Sequence, residues 1–333
     1  MSRSAAAIER TIWCAMSFPA PPMEKQTYIR VHDGFLGSRL VGVLLSQGHS
    51  VTVLDNHWTS LQFSLNDFKD DPALTIIQSV IESCDQIYHL ACPASPVHFA
   101  THALKILDTC YLGTRNVLEK ARLWNARVLL ASTSEVYGQA ERDPQDEGYF
   151  GNVNCFGPRS CYDEGKRVAE SLAYAYQQQY PGALEIRVAR IFNAYGPGMH
   201  ARDGRVVCSF VDAALRQAEI WINGDGQSTR CFQYVDDCVA GLQSLMQSSW
   251  QGGPVNIGRE QATTIAELAQ IINSLVSAST RCPEARIVHG PALPDEPMQR
   301  RPDCTLARNV LGWEARTSLQ EGLRRTIEWH VDL

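Results

Sequence analysis

The chain has 333 residues, 44% hydrophobic and 20% charged, which is the composition of a globular protein long enough to form two lobes. Its net charge of −6 argues against a nucleic acid as the main partner, because such a partner requires an excess of basic residues. The eleven cysteines are odd in number and show no Cys-x-x-Cys or Cys/His spacing. We therefore expect reduced cysteines, no metal site and a cytoplasmic protein.

Residues 1–25 contain one apolar run, at 12–16, which is too short for a membrane span or for the core of a signal peptide. Two prolines, Pro21 and Pro22, follow this run. We expect residues 1–25 to form a poorly ordered leader, and we expect no association with a membrane.

Residues 26–55 have the pattern of a dinucleotide-binding unit. A strand predicted at 26–30 leads into a turn with Gly34 and Gly37, and an amphipathic helix at 40–47 and a second strand at 51–55 follow. The second strand ends in Asp55, at the spacing from which a carboxylate binds the ribose of a dinucleotide. Val31 replaces the first glycine of the usual pattern, so the pattern is incomplete at its N-terminal end.

Strands and helices continue to alternate after this unit. Further strands are predicted at 74–77, 86–90, 127–131 and 185–191, and helices at 103–124 and 168–180. This alternation predicts an α/β fold with a Rossmann-type, doubly wound parallel sheet over residues 26–192. From residue 193 the alternation loosens, so residues 193–333 are predicted to form a smaller C-terminal α/β lobe that binds the substrate. We expect the chain to cross between the two lobes.

Ser132, Thr133, Ser134 and Glu135 follow the predicted strand at 127–131, and Tyr162 and Lys166 lie on the next predicted helix. One helical turn separates the tyrosine from the lysine, so their side chains point to the same side. An ammonium group beside a phenol lowers the phenol pKa from about 10. The pair is therefore predicted to supply a base that works near neutral pH.

Several longer runs resemble the UDP-glucuronic acid decarboxylases (UDP-xylose synthases), a group within the extended short-chain dehydrogenase/reductase superfamily. These runs are 89–96, 132–138, 157–167, 188–193, 203–207 and 224–230. The resemblance implies NAD as cofactor, UDP-glucuronate as substrate and UDP-xylose as product. It also implies an internal redox cycle, in which C4 of the sugar becomes a ketone, CO2 leaves from C5 and C4 is reduced again.

The resemblance also implies roles for the residues that match the family's catalytic motifs. Tyr162 would be the base, Lys166 would lower its pKa and hold the nicotinamide ribose, and Thr133 would hydrogen-bond O4 of the sugar. Ser134 and Glu135 would lie near C5 and handle protons there.

Other matching positions are implied to bind the ligands. Arg300 would bind the sugar carboxylate, because a guanidinium fork fixes the orientation of a carboxylate. Positions implied to hold the UDP-sugar are Lys105, Asn193, Arg205 and Arg230. Positions implied to hold NAD are Gly34, Phe35, Leu36, Gly37, Asp55, Asn56, Leu90, Ala91 and Ser132, together with Tyr162 and Lys166.

The chain departs from the family pattern mainly around the cofactor. Val31, His32 and Asp33 replace the small residues expected in the glycine turn, and Gly198 stands where the family has an arginine that contacts the cofactor. A β-branched residue in a tight turn and a carboxylate near a pyrophosphate both weaken dinucleotide binding.

Three hypotheses about function follow. The first is a UDP-glucuronate decarboxylase with weakened NAD affinity. The second is an NAD-dependent redox enzyme that acts on another nucleotide sugar, such as a 4-epimerase, although Arg300 and Glu135 argue against it. The third is a catalytically silent relative that binds a UDP-sugar. We also expect a homodimer, because members of the family pair through helices that correspond to about 100–124 and 160–180.

Overall fold

The computed structural model describes residues 26–30 (backbone only), 34–55, 65–77, 83–201, 203–292 and 298–331. The predicted leader, positions 31–33 and Asn56 lie outside these ranges. The strands are β1 (Gln26–Arg30), β2 (Ser50–Leu54), β3 (Leu74–Ile77), β4 (Gln86–His89), β5 (Arg127–Thr133), β6 (Ile186–Ile191), β7 (Ala194–Tyr195), β8 (Ile220–Asn223), β9 (Thr229–Cys231), β10 (Gln233–Tyr234), β11 (Pro254–Ile257), β12 (Ala262–Thr264), β13 (Ile287–Gly290) and β14 (Gln299–Arg300). The helices are α1 (Phe35–Ser46), α2 (Phe99–Asp108), α3 (Thr114–Trp124), α4 (Ser160–Gln179), α5 (Val206–Leu215), α6 (Val235–Gln247), α7 (Ile265–Thr280), α8 (Thr305–Leu311) and α9 (Leu319–Val331).

Seven parallel strands form the main sheet, in the order β11-β6-β5-β4-β1-β2-β3. The predicted Rossmann-type α/β fold is therefore confirmed. From β1 the chain continues toward one edge of the sheet through β2 and β3, and from β4 it continues toward the other edge through β5 and β6. In such sheets ligands bind at the carboxyl ends of the strands, near the point between β1 and β4 where the strand order reverses.

Helices cover both faces of the main sheet. Side chains alternate along β5, so that Leu129 joins the core on the α1 and α6 face while Val128 and Leu130 join the core beneath α3 and α4. On their side, α3 and α4 contribute buried residues such as Leu118 and Ala169. Burial on both faces explains why β5 is apolar along most of its length.

The second half of the chain contributes to both parts of the molecule. Strand β11 returns to the main sheet beside β6, with Pro254 opposite Val188. The smaller sheets are the parallel pairs β7 with β10 and β8 with β13, and the three strands β12-β9-β14. In the latter, Arg300 lies opposite Arg230. The boundary at residues 192 and 193 stays a prediction.

Three helices differ from their predicted bounds. Helix α1 begins at Phe35 rather than at residue 40, and α4 begins at Ser160 rather than at residue 168. The single helix predicted at 103–124 is instead two helices, α2 and α3, joined by a π-helical turn at Thr109–Gly113. No helix in the described ranges combines the length and apolar character needed to cross a lipid bilayer.

Candidate active site

A cavity of about 1160 Å³ lies where β4, β5 and β6 end and where the smaller sheets approach the main sheet. Its volume is at the upper end for small-molecule sites, so it has room for a ligand larger than a single nucleotide. The predicted site residues that line it are Gly34, Phe35, Leu36, Gly37, Leu90, Ser132, Thr133, Ser134, Glu135, Tyr162, Lys166, Asn193, Arg205, Arg230 and Arg300.

Three predicted site residues within the described ranges do not line this cavity. Asp55 is buried just after β2, Ala91 is half-buried after β4, and Lys105 is exposed on α2. Asn56 lies outside the described residues. The ligand-binding roles predicted for these residues stay predictions.

A short 3₁₀ turn at Ser134–Tyr137 begins where β5 ends. The Thr133 hydroxyl accepts a hydrogen bond from the Glu135 amide at 3.2 Å, which caps this turn. The hydroxyl of Ser132 donates to the carboxylate of Glu170 on α4 at 2.5 Å, so this bond joins the end of β5 to that helix. The turn thus presents Thr133, Ser134 and Glu135 to the cavity.

Tyr162 lies in the first turn of α4, opposite this 3₁₀ turn. Its ring is buried and stacks on Phe99, with ring centroids 5.3 Å apart and planes at 16°. Burial and the neighbouring Cys92 raise the pKa of Tyr162 well above its ordinary value, and hydrogen bonding to Thr133 opposes them only in part.

The expected lowering of the Tyr162 pKa by Lys166 is therefore not found in this arrangement. The physical reason is the position of the ammonium group. Lys166 Nζ donates to the Ala131 carbonyl at 2.8 Å and lies 5.9 Å from the centroid of the tyrosine ring. At that distance its charge does not outweigh the loss of solvation around the phenol.

Glu135 is held between two guanidinium groups. Arg300 Nη1 binds Oε1 of the carboxylate, and Arg159 Nη2 binds Oε2 at 2.5 Å. Burial opposes ionisation, but Arg300 and Arg159 outweigh it and lower the pKa of Glu135 to about 2. Arg300 itself is 2% exposed and donates from Nη2 to the Gly138 carbonyl at 3.1 Å. A carboxylate and two cations therefore lie together at the end of the cavity that contains Tyr162.

Arg159 and Asp163 belong to this cluster and were not predicted as site residues. The Nε of Arg159 lies 3.6 Å from Oδ2 of Asp163, four residues further along. Burial and the charge of Glu135 raise the pKa of the Asp163 carboxyl to about 7. The signal in the sequence is the i,i+4 spacing of an arginine and an aspartate at the start of a helix, inside the run 157–167.

The wall opposite the main sheet carries further cations. Arg205 makes a two-point contact with Asp203 through Nε at 2.5 Å and Nη2 at 2.8 Å. Arg230 lies beside Arg300 across the β9–β14 pair and donates from Nη1 to the Thr229 carbonyl at 2.9 Å. Asn193 follows β6 and lines the same wall. These donors suit an anionic ligand such as a diphosphate.

The end of the cavity near α1 fits a dinucleotide. The helix begins directly after Gly34, and among the described residues no side chain caps it, so its first amide groups can bind an anion. The buried Asp55 carboxylate at the end of the neighbouring β2 is a suitable acceptor for ribose hydroxyls. Gly198 lines the cavity with φ +87°, and a Cβ added there would meet no atom within 4 Å. A positive φ of this size favours glycine at this position.

The chain matches the family described as GDP-mannose 4,6 dehydratase over residues 32–326. It is 46% identical over 310 residues to UDP-glucuronic acid decarboxylase 1 of Danio rerio, a match that covers 92% of this chain and 72% of the relative. It is 45% identical over 296 residues to UDP-glucuronic acid decarboxylase 5 of Arabidopsis thaliana, which covers 87% of this chain and 84% of the relative.

Solved structures with the same fold include enzymes of nucleotide-sugar metabolism. UDP-glucose 4-epimerase of Thermotoga maritima, solved with UDP-glucose, has a TM-score of 0.82 at 25% identity and covers 92% of this chain and 99% of its own. MoeE5, solved with UDP-glucuronic acid and NAD, has a TM-score of 0.77 at 27% identity with the same two coverages. The identity to the decarboxylases is much higher than to either of these, and the chain therefore belongs to the UDP-glucuronic acid decarboxylase family of extended short-chain dehydrogenase/reductases.

Proposed function

We propose that this protein converts UDP-glucuronate to UDP-xylose and CO2 with NAD as its cofactor. The observation that carries the proposal is the buried guanidinium of Arg300, which lies against Glu135 in the cavity that Tyr162 also lines. A site that removes a carboxylate from a sugar needs a cation that holds this group in one orientation. The names of the relatives support the same reaction.

The residues around Gly34 and Gly37 at the start of α1 would hold NAD, which would supply hydride chemistry at C4 of the sugar, as acceptor before CO2 leaves and as donor afterwards. Tyr162 takes the proton of the O4 hydroxyl, and Thr133 orients that hydroxyl. The resulting ketone is β to the carboxylate, so it accepts the electron pair of the breaking C5–CO2 bond. Arg300 keeps that bond aligned with the ketone. A proton from solvent then reaches C5 by way of Ser134 and Glu135, whose carboxylate is ionised at rest because Arg300 and Arg159 lower its pKa, and one proton is taken up for each CO2 released.

The base role of Tyr162 requires a lower pKa than burial alone gives it. Lys166 can supply this, because its ammonium is one helical turn away and is held only by the Ala131 carbonyl among the described residues. Rotation of the ammonium toward the phenol oxygen would shorten the distance between the positive charge and the developing phenolate, which favours ionisation of the phenol.

A 4-epimerase is the main alternative within the same fold. An epimerase must return the hydride to the other face of C4, and it needs no cation to direct the loss of a carboxylate. Solved epimerases match this chain at 21–26% identity, whereas the decarboxylases match it at 44–46%. These observations favour decarboxylation.

The decisive experiment incubates the protein with NAD+ and UDP-glucuronate labelled with ¹³C at C6, followed by mass spectrometry. Labelled CO2 together with a UDP-pentose supports the proposal. A UDP-uronate of unchanged mass but different retention time indicates 4-epimerisation. Binding of UDP without binding of NAD, and without turnover, indicates the silent relative. Tyr162→Phe serves as the matched inactive control.

We propose further that the protein is a homodimer and cytoplasmic. Helices α2, α3 and α4 and the turn between α2 and α3 expose an unusual number of large apolar side chains, which supports a protein interface there. These side chains are Leu104, Leu107, Tyr111, Leu112, Leu123, Val168 and Tyr174.

The state of the cysteines supports the proposed cytoplasmic location. All ten cysteines among the described residues are free thiols, as in proteins of a reducing compartment.

A further inference from the structure

Arg159 is placed to hold Glu135 from the side opposite Arg300. The two guanidiniums bind different oxygens of the same carboxylate. Arg159 occupies the position just before α4, and its side chain is 25% exposed. Its guanidinium also lies 5.7 Å from the ring of Phe99, the ring on which Tyr162 stacks. Arg159 is thus fixed by the same elements that fix the predicted base.

The charges of the cluster create a conflict when a uronic acid binds. The proposed function gives Arg300 the carboxylate of the substrate, but Nη1 of Arg300 already binds Glu135 and Nη2 binds the Gly138 carbonyl. Its Nε is buried and has no hydrogen-bond partner among the described residues. Two carboxylates at one buried cation repel each other, and this repulsion is strong where water is excluded. Glu135 therefore needs a second cation if Arg300 is to serve the substrate.

Arg159 is available for this purpose. Its contact with Asp163 is 3.6 Å long, which is too far for a strong hydrogen bond, whereas its contact with Glu135 is 2.5 Å. One oxygen of Asp163 is buried without a hydrogen-bond partner among the described residues, so this aspartate does not saturate the guanidinium. Glu135 is the principal partner of Arg159.

We propose, on the basis of the function proposed above, that Arg159 is a positioning residue that retains Glu135 while Arg300 binds the carboxylate of the substrate. Through Glu135 it makes the site selective for a UDP-uronic acid over the neutral UDP-sugar. Arg159 itself does not contact the sugar in this arrangement; its effect depends on the charge of Glu135.

The test measures the dissociation constants of UDP-glucuronate, UDP-glucose and UDP by calorimetry on the full chain with NAD present, with every variant made in a Tyr162→Phe background so that UDP-glucuronate is not consumed during the titration. Arg159→Gln is expected to weaken UDP-glucuronate about 10- to 100-fold, the range for losing a hydrogen bond to a charged group, while UDP-glucose and UDP change by about twofold or less. Arg159→Lys keeps the charge and should recover part of the loss. Arg301→Gln is the matched control, since Arg301 follows Arg300 in the chain, has a side chain that is 39% exposed and pairs with Asp143 at 3.0 Å.

A double-mutant cycle separates positioning from a general effect on the fold. In a Glu135→Gln background there is no carboxylate to hold, so adding Arg159→Gln should change the UDP-glucuronate dissociation constant by about twofold or less. The proposal is overturned if all three ligands weaken equally, if the loss persists in the Glu135→Gln background, or if Arg159→Gln has no effect. Arg159→Lys provides the same comparison if the glutamine variant does not fold. Absence of UDP-xylose with the unmutated protein would refute the proposed function alone, because the binding cycle does not depend on turnover.

Discussion

Arg300 and Glu135, which come from distant parts of the chain, form an ion pair inside the cavity. Arg300 lies on β14, whose position is set by pairing with β9, and Glu135 lies in the turn after β5. Arg300 is 2% exposed, and a charge buried to this extent requires partners from the fold itself. The pair joins the C-terminal strands to the main sheet at the proposed site of the sugar carboxylate.

Replacement of this arginine tests the proposed carboxylate site. Arg300→Ala should lower kcat/KM for UDP-glucuronate by about 100-fold or more, because the variant lacks the charge-assisted hydrogen bonds that orient the leaving CO2. The affinity for UDP should change much less, since Arg205 and Arg230 remain. Steady-state assays of UDP-xylose formation and calorimetry with UDP check both statements. Arg301→Ala is the control on the neighbouring position, and unchanged product formation in Arg300→Ala would refute the assignment.

Tyr162 is the predicted base, and its removal should affect chemistry rather than binding. Tyr162→Phe should lower turnover by about 10²- to 10⁴-fold, the usual contribution of a general base. Binding of UDP-glucuronate should be preserved, because the ring and its stack on Phe99 remain. Tyr174→Phe provides the control, as Tyr174 is 65% exposed on the same helix. Substantial residual turnover in Tyr162→Phe would remove the tyrosine from this role.

The pKa of Asp163 predicts a dependence of stability on pH. Burial and the Glu135 charge raise the pKa of this carboxyl from 3.8 to about 7, so the folded protein holds a proton that the unfolded chain releases. Its contribution to stability is complete below about pH 4 and is lost as the pH rises through about 7. Asp163→Asn removes this loss, which amounts to at most about 4 kcal/mol at about 1.4 kcal/mol for each pKa unit.

The measurement is thermal or urea-induced unfolding of both proteins between pH 4 and pH 8. The asparagine variant should gain stability over the unmutated protein as the pH rises, and the difference should shrink toward pH 4. Asp108→Asn, at an exposed position on α2, should show no such trend. A stability difference that is constant with pH would mean that Asp163 does not titrate in this range.

The elements that could be predicted from the sequence are those whose pattern is local. Strands β1 and β3 have the predicted bounds, because short apolar runs between turn residues determine them. The start of α4 could not be predicted from periodicity. Its first two turns bury Tyr162, Asp163 and Lys166, so polar residues occupy buried positions where an amphipathic pattern would have apolar ones.

Residues of the candidate site that lie in one continuous motif could be predicted from the sequence. Contacts between residues that are far apart in the chain were harder to predict. Nothing in the spacing of Glu135 and Arg300 indicates a contact, because it depends on the register of β14 against β9; the family resemblance alone pointed to Arg300. The direction of the Tyr162 pKa shift was wrong for a similar reason. Sequence places Lys166 near the phenol, but it shows neither the burial of the ring nor the hydrogen bond to Ala131 that holds the ammonium away.

The proposed dimer predicts that charges on the exposed apolar surface will separate the subunits. Leu104 and Leu112 are 79% and 47% exposed, so Leu104→Asp with Leu112→Asp should leave each subunit folded. Burying two carboxylates without partners in an interface is strongly unfavourable. Light scattering after size exclusion should therefore give the mass of one 37.0 kDa chain for the variant and twice that mass for the unmutated protein. Val331→Asp, on the exposed side of α9, should leave the mass unchanged, and a dimeric double variant would place the interface elsewhere.

The segment before α1 predicts how tightly NAD is held. Val31 stands where the family has a glycine, and Asp33 directly precedes Gly34, the residue before the helix that should bind the pyrophosphate. The double change Val31→Gly with Asp33→Ala should tighten NAD binding by about five- to tenfold, because one like charge near a phosphate costs about 1 kcal/mol or more. Titration of NAD followed by calorimetry measures this, the two single variants separate backbone freedom from charge, and the affinity for UDP should stay constant. An unchanged NAD dissociation constant would mean that the altered turn does not limit the cofactor, and the hypothesis of a catalytically silent relative would then lose its main support in the sequence.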